Sequence, residues 1–115
     1  MTATATSQPL EALALANHVR LGRAGLRRTI KKLPAGEGRE QLARLLEDPA
    51  WRDGGPARTA TVVSVLTWPA LIGPVRARRV SRRLGIGDAR QVRHLTARQA
   101  SALAAHLRAE QRNRW

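Results

Sequence analysis

The sequence predicts an all-α protein, in which a long N-terminal helix precedes a compact helical domain, with about five helices in all. The apolar residues are mostly Ala, Leu and Val, with three Trp and neither Phe nor Tyr. A core of such small aliphatic side chains favours thin helical packing over a thick sheet sandwich. Apolar residues also recur at helical spacing in most segments. Only residues 59–67 have the β-branched composition of a strand. A lone strand has nothing to pair with, so we predict a buried helix there.

The N-terminal part predicts a flexible leader over residues 1–9 and a helix over residues 10–33. Ser7 suits the N-cap, and Pro9 suits the first turn, where its missing N–H costs nothing. The helix has one apolar and one basic stripe. The apolar stripe contains Leu15, Val19, Leu26, Ile30 and Leu33, and the basic stripe contains Arg20, Arg23, Arg27 and Lys31. No acid is interleaved with the basic residues to form ion pairs, so this stripe is either a solvated face or a surface for an anionic partner.

The middle of the chain predicts a short helix over residues 37–47, closed by an Asp-Pro pair. Residues 51–56 end in Gly-Gly-Pro, which is typical of a loop. Trp51 is expected to anchor this loop to the core. The buried helix that follows ends at a Trp-Pro pair.

The last part predicts a domain core over residues 58–110. Gly73 suits a tight turn, and Pro74 suits the first position of a helix over residues 74–84. Residues 10–110 are expected to form one helical domain.

Two local signals bound the helices of this core. Gly85 suits a helix C-cap, and Ile86 suits the apolar contact that follows such a cap. Thr96 and Gln99 have the spacing of a capping box, which predicts a final helix over residues 97–109. Residues 111–115 are expected to form a basic tail.

Charge is the strongest compositional signal, because 21 basic residues against 8 acidic ones give a formal net charge of +13. An excess of this size on a small domain favours a polyanionic partner, above all nucleic acid. Arginine accounts for nearly all of the basic residues, and its planar guanidinium contacts phosphates in a bidentate way.

Other classes of protein have little support in the sequence. There is no cysteine, which excludes disulfides and cysteine-ligated metals, and His18, His94 and His106 have no nearby acidic pair at ligand spacing. No apolar run reaches the length of a membrane span, and the N-terminus lacks the pattern of a signal peptide, so a cytoplasmic protein is expected. No nucleophile–base pair, metal cluster or phosphate-loop lysine is evident. We expect no enzymatic activity, no cofactor and no small-molecule substrate.

Residues 72–95 carry the strongest functional signal. They contain a Gly-Pro turn, an arginine-rich helix, a glycine and a second basic cluster. A helix start presents backbone N–H groups to an anion. We expect the N–H groups of Gly73, Val75 and Arg76 to hold one phosphate, and Arg76 and Arg79 to hold its neighbours. This stretch is therefore predicted to grip the phosphates of a double-stranded nucleic acid.

The same residues resemble a known motif. The segments Ile-Gly-Pro-Val-Arg-Ala (72–77), Arg-Arg-Leu-Gly-Ile (82–86) and Arg-Gln-Val-Arg-His-Leu-Thr (90–96), followed by a capped helix, resemble a helix-two-turns-helix domain. Three kinds of protein carry it: the actinobacterial integration host factor, a small-subunit ribosomal protein and formamidopyrimidine-type DNA glycosylases. The chain is most similar to the integration host factor, which also has a long basic N-terminal helix and ends soon after the last helix. The glycosylase needs a catalytic N-terminal proline, a β-sandwich and a cysteine zinc finger, none of which this sequence has.

The resemblance implies a monomeric, non-enzymatic nucleoid protein that binds double-stranded DNA with little sequence preference. The family's contact turn corresponds to the Gly-Pro turn here, and its Arg-Arg-x-Arg cluster corresponds to residues 90–93. Leu71 replaces the family's first glycine, Pro74 replaces a lysine, and Gln91 replaces an arginine. The DNA-contacting residues expected overall are Gly73, Pro74, Val75, Arg76, Arg79, Arg90, Gln91 and Arg93, with Arg23, Arg27 and Lys31 as a second contact face.

Alternatives remain open at this point. Two contact faces on one domain would allow DNA to be bent or bridged. The same motif is compatible with RNA binding of the ribosomal type. The basic faces are also compatible with an adaptor that binds an acidic protein.

Overall fold

The structure, a computed structural model, describes the backbone of residues 2–113 and the side chains of residues 9–109. These residues contain six α-helices and one short 3₁₀ helix, which confirms the all-α fold class. In chain order the elements are α1 (Thr2–Lys32), α2 (Ala35–Glu47), α3 (Pro49–Gly54), α4 (Val62–Leu66), α5 (Pro74–Arg83), the 3₁₀ helix (Val92–His94) and α6 (Ala97–Asn113).

The centre of the core is the packing of α2 against α6. Each helix contributes a row of fully buried aliphatic side chains at helical spacing, because one stripe of each helix is apolar. The rows are Leu42, Ala43 and Leu46 on α2, and Leu103, Ala104 and Leu107 on α6. On another side of this core, α4 packs against α5. The helix that carries most of the predicted site therefore rests on a buried element.

Arg108 ties α6 to α2 at the rim of the core. Its guanidinium donates two hydrogen bonds to the Glu47 carboxylate, at 2.9 and 2.7 Å, and one to Glu40 at 2.7 Å. These bonds lower the pKa of both carboxyl groups and raise the pKa of Arg108. This arginine therefore has a structural role.

Helix α1 is longer than predicted. It begins at Thr2, so Ser7 is not its N-cap and Pro9 lies inside the helix. Proline there removes one backbone hydrogen bond, but the alanines that precede it favour helix. The predicted apolar stripe is buried only towards its C-terminal end: Ile30 is fully buried, whereas Leu15 is 61% exposed.

Residues 51–54, predicted as part of a loop, belong to helix α3. The Asp48 side chain accepts a hydrogen bond from the Ala50 N–H at 3.0 Å, and Pro49 occupies the first turn. The prediction treated Asp-Pro as the end of one helix and missed that it also begins the next. Trp51 does reach the core, where its ring packs edge-to-face on that of Trp68, with the ring centroids 6.4 Å apart.

The buried helix predicted over residues 59–67 is confirmed, but it is only the five residues of α4. Thr61, the residue before it, is extended and forms an isolated bridge with Gln91. The Val62 N–H donates to the Arg90 carbonyl at 2.8 Å, and the Val92 N–H donates to the Ala60 carbonyl at 2.9 Å. The β-branched residues of the strand signal, Val62, Val63 and Val65, lie in the helix itself.

Both local bounding signals are confirmed. Gly85 has a φ of +75°, and the Ile86 N–H donates to the Ser81 carbonyl at 2.9 Å, which is the bond of a glycine C-cap. Thr96 and Gln99 exchange reciprocal hydrogen bonds at 3.1 and 3.0 Å. Helix α6 then continues to Asn113, so the first part of the predicted tail is helical. Residues 114 and 115 lie outside the described residues.

Candidate nucleic-acid interface

The turn before α5 differs from the prediction in which residue adopts the unusual backbone angles. Gly73 is extended, with φ −88° and ψ 175°. Leu71 has a φ of +72°, in the left-handed region that favours glycine. The prediction assigned this role to Gly73 because glycine adopts such angles without steric cost. Leu71 is the residue that replaces a glycine in the resemblance described above.

The start of α5 offers backbone donors to an anion. Pro74 has no N–H, and the first bond of this helix runs from the Ala77 N–H to the Gly73 carbonyl. The N–H groups of Val75 and Arg76 therefore have no acceptor within the helix, and no side chain caps them. Val75 is 68% exposed. The predicted phosphate cradle thus coincides with a helix start that has no side-chain N-cap.

One row of α5 lines a basic groove. Arg76, Arg79 and Arg83 recur at i, i+3 and i+7, so they share one face of the helix. Together with Val80 and His106 of α6, they line an open groove of about 370 Å³. Among the described residues, those that line this groove are basic apart from Val80. Arg83 shares the helix face of Arg76 and Arg79 but is not among the contact residues predicted from the sequence. His106 is not among them either, because this second wall comes from a helix that follows later in the chain.

His106 lines this groove from α6 and is partly buried. Burial, followed by the positive charges of Arg83 and Arg76, lowers the pKa of its imidazole. Its Nε2 is buried and has no hydrogen-bond partner among the described residues. His106 also lines a small apolar cavity with Leu66 and Ile72. Because a lowered pKa disfavours the charged imidazole, the arginines supply most of the positive charge of the groove.

The neighbouring row of α5 is engaged by an acid. Arg82 makes two hydrogen bonds to the Asp88 carboxylate, at 3.2 and 2.8 Å, and Arg78 lies 3.6 Å from it. These arginines lower the pKa of Asp88. Asp88 follows the C-cap at Gly85 by three residues, and the cap directs it back towards the helix. Asp88 thus pairs with the row of Arg78 and Arg82, which lies beside the row that lines the groove.

The predicted second cluster lies around the bridge at Gln91 and in the 3₁₀ helix that follows it, next to residues 58–62. Arg90 and Arg93 are exposed, and both make local contacts: Arg93 donates to the Gln91 side chain at 2.9 Å, and Arg90 donates to the His94 carbonyl at 3.3 Å. Gln91 pairs with Thr61 across the single bridge. Gln91 therefore orients Arg93 as well as offering its own amide.

The predicted second face forms a second groove between α1 and α4. Arg20, Arg23 and Arg27 line it, with Ser64 and Thr67 opposite, and its volume is about 340 Å³. The Ser64 and Thr67 hydroxyls already donate to the carbonyls of residues 61 and 64. The arginines are therefore the main donors to a ligand in this groove. Lys31 is exposed but is not among the residues that line it.

Arg23 has a structural role in addition to the predicted one. Its guanidinium donates to the Pro56 carbonyl at 3.2 Å and to the Thr59 hydroxyl at 2.9 Å. Arg58, which precedes Thr59 in the chain, accepts a hydrogen bond at its carbonyl from the Arg93 N–H at 2.9 Å. The segment 56–62 thus joins the α1 face to the 90–93 cluster. Arg58, which the sequence prediction did not single out, lies between them.

Some of the arginines counted in the net charge lie in the core and not on these surfaces. Arg39 is fully buried, and Arg52 is 8% exposed. Arg52 donates to the Leu46 carbonyl at 2.6 Å and so satisfies one of the last carbonyls of α2. Basic composition alone therefore overstates the charge available to a ligand.

The described residues contain no group of three His, Asp or Glu side chains that could hold a metal ion. They contain no helix with the length and apolarity needed to cross a membrane.

Comparisons with known proteins identify no relative: no family model matches the chain, and no curated protein or solved structure matches it. What can be said about function therefore rests on the geometry and charge of the two grooves.

Proposed function

We propose that the protein binds double-stranded DNA through the phosphate backbone, as a non-catalytic, nucleoid-associated protein of the integration host factor type in the cytoplasm. The observation that carries the proposal is the groove between α5 and α6. Three arginines from one helix face line it. A row of arginines along a groove, on a chain of net charge +13, attracts a polyanion strongly.

The contacts expected at this groove are to phosphates. The N–H groups of Val75 and Arg76 approach one phosphate at the helix start, where the helix dipole favours negative charge. Arg79 and Arg83 lie one and two turns further along the same face and reach successive phosphates. Contacts of this kind fix the position of a duplex but carry little sequence information. Binding with little sequence preference is therefore expected.

The α1–α4 groove is the second expected contact. Because Arg23 also holds α1 to the segment 56–59, Arg27 is the better probe of binding there. Arg27→Ala should weaken DNA binding without loosening α1. Arg23→Ala should lower thermal stability as well.

The decisive experiment is a salt titration of binding to a DNA duplex. If about six phosphates are neutralised, the plot of log K against log salt has a slope of about −5. The double variant Arg79→Ala with Arg83→Ala should make the slope of log K against log salt shallower by about 2. Arg44→Ala with Arg98→Ala removes the same charge from exposed positions outside both grooves, and it should leave the slope close to wild type.

Three results would contradict the proposal. One is a wild-type slope shallower than about −2. Another is an equal loss of binding in both double variants, which would indicate attraction by net charge without a defined site. The third is a preference for structured RNA over duplex DNA of equal length in competition, which would favour the ribosomal type of function.

A further inference from the structure

Asp88 is the one acidic residue in the sequence from residue 54 to residue 109, a stretch that contains ten arginines. Its carboxylate contacts helix α5. It accepts two hydrogen bonds from Arg82, at 2.8 and 3.2 Å, and lies 3.6 Å from the Nε of Arg78. The two bonds from Arg82 go to different carboxylate oxygens, and an arginine can hold two oxygens of a phosphate in the same way. The Asp88 carboxylate therefore marks an anion site on this row of α5.

This anion site borders a third groove. Arg78 and Arg82, together with Val75 and Arg79, line an open groove of about 320 Å³. Arg79 also lines the α5–α6 groove, so the two grooves adjoin along α5. The side chains of Arg78 and Arg82 are 50% and 65% exposed. A polyanion bound at Arg79 is therefore next to both of these arginines.

The ion pair is not needed to hold the turn that follows α5. The Ile86 N–H donates to the Ser81 carbonyl at 2.9 Å, and the Ser81 hydroxyl donates back to the Ile86 carbonyl at 2.9 Å. Ser81 is fully buried, so these two bonds are shielded from water. The contact of Asp88 with the arginines therefore calls for a reason other than the structure of the turn.

We propose that Arg78 and Arg82 form a further phosphate-binding site, and that Asp88 restricts this site to ligands that carry several phosphates. In the unbound protein the carboxylate takes the place of a phosphate. A duplex bound at the α5–α6 groove presents its neighbouring phosphates to Arg78 and Arg82, and one of these phosphates displaces the carboxylate. The choice of a duplex as the ligand rests on the function proposed above.

The exchange is feasible because the ion pair is exposed. The Asp88 side chain is 44% exposed, and ion pairs in such positions contribute little to stability. A carboxylate tethered close to its partner nevertheless acts at an effective concentration on the order of millimolar. A single phosphate ion therefore competes poorly with it. The phosphates of a duplex are also tethered once their neighbours are bound at Arg79, and they compete on equal terms.

Asp88→Asn tests the proposal, because it removes the charge but keeps an oxygen that can accept a hydrogen bond from Arg82. In salt titrations on one duplex, this variant should bind about fivefold more tightly than wild type at about 0.1 M salt. The slope of log K against log salt should be steeper by about 1, since the carboxylate displaced in wild type takes up a cation again. At constant ionic strength, inorganic phosphate should inhibit duplex binding by Asp88→Asn at lower concentrations than it inhibits wild type.

Two controls separate a defined site from net charge. Glu37→Gln removes the same charge from an exposed position on α2 that lines none of the three arginine-lined grooves, and it should change binding much less. In a background of Arg78→Ala with Arg82→Ala, Asp88→Asn should have no more effect than Glu37→Gln. Circular dichroism verifies that every variant remains helical.

Three outcomes would overturn the proposal. One is equal binding by Asp88→Asn and Glu37→Gln, and another is a gain from Asp88→Asn that persists without Arg78 and Arg82. The third is weaker binding by Asp88→Asn, which would show that the carboxylate positions Arg82 for its ligand. A linear polyphosphate chain serves as a second ligand in every comparison. If wild type fails to bind the duplex, DNA binding is refuted, and the same variants on polyphosphate still decide whether Asp88 restricts the site.

Discussion

The left-handed backbone at Leu71 gives a stability prediction whose sign can be worked out from the structure. A residue with a Cβ at φ +72° carries a steric cost of about 1–2 kcal/mol that glycine does not. Glycine loses about 0.5–1 kcal/mol more in conformational entropy on folding. Because Leu71 is 60% exposed, Leu71→Gly and Leu71→Ala lose similar side-chain burial. We therefore expect Leu71→Gly to be more stable than Leu71→Ala by about 0.5–1 kcal/mol, the difference between the steric and entropic costs.

Urea unfolding followed by circular dichroism measures this difference directly. Two glycines with open space around them calibrate it. Gly85→Ala, at φ +75°, should destabilise the protein by a similar amount, whereas Gly87→Ala, outside the left-handed region, should not. If Leu71→Ala proved as stable as Leu71→Gly while the two controls behaved as expected, the backbone at Leu71 would not be strained and the reasoning would be wrong.

Three further predictions concern packing and protonation. Gly55→Ala would place a methyl group 2.5 Å from a backbone oxygen of α3, so the free energy of unfolding in urea should fall by about 1–3 kcal/mol. Gly54→Ala, which has open space around it, is the control, and equal losses in the two variants would contradict the steric argument. Arg108→Ala should lower the free energy of unfolding by about 1 kcal/mol, at the upper end for partly exposed ion pairs. Because Arg108 lowers the pKa of Glu40 and Glu47, its contribution to stability should be lost as the pH falls below about 4.5 and through those lowered values. A variant that remained less stable than wild type in acid would refute this. The pKa of His106 is lowered in the folded state, so the unfolded chain takes up a proton first and stability should fall as the pH falls below about 6.5. His106→Leu should make the melting temperature less dependent on pH in this range. An unchanged dependence on pH would mean that another group causes the effect.

Elements encoded within a few consecutive residues could be predicted from the sequence. The capping box at Thr96 and the cap at Gly85 involve partners at most five residues apart, so spacing alone specifies them. The beginning of α3 was equally local, since Asp48 and Pro49 are a helix-start signal. It was missed because one Asp-Pro pair both ends α2 and begins α3.

Features that depend on distant partners could not be predicted in this way. The hydrogen bond from the Val62 N–H to the Arg90 carbonyl joins segments 28 residues apart, and nothing in the composition of residues 90–93 indicates this contact. His106, in the second wall of the α5 groove, lies on α6 and is likewise distant in sequence from the arginines of α5. Arg39 is buried although its residue type is rarely found in cores. In each case tertiary packing determined the outcome.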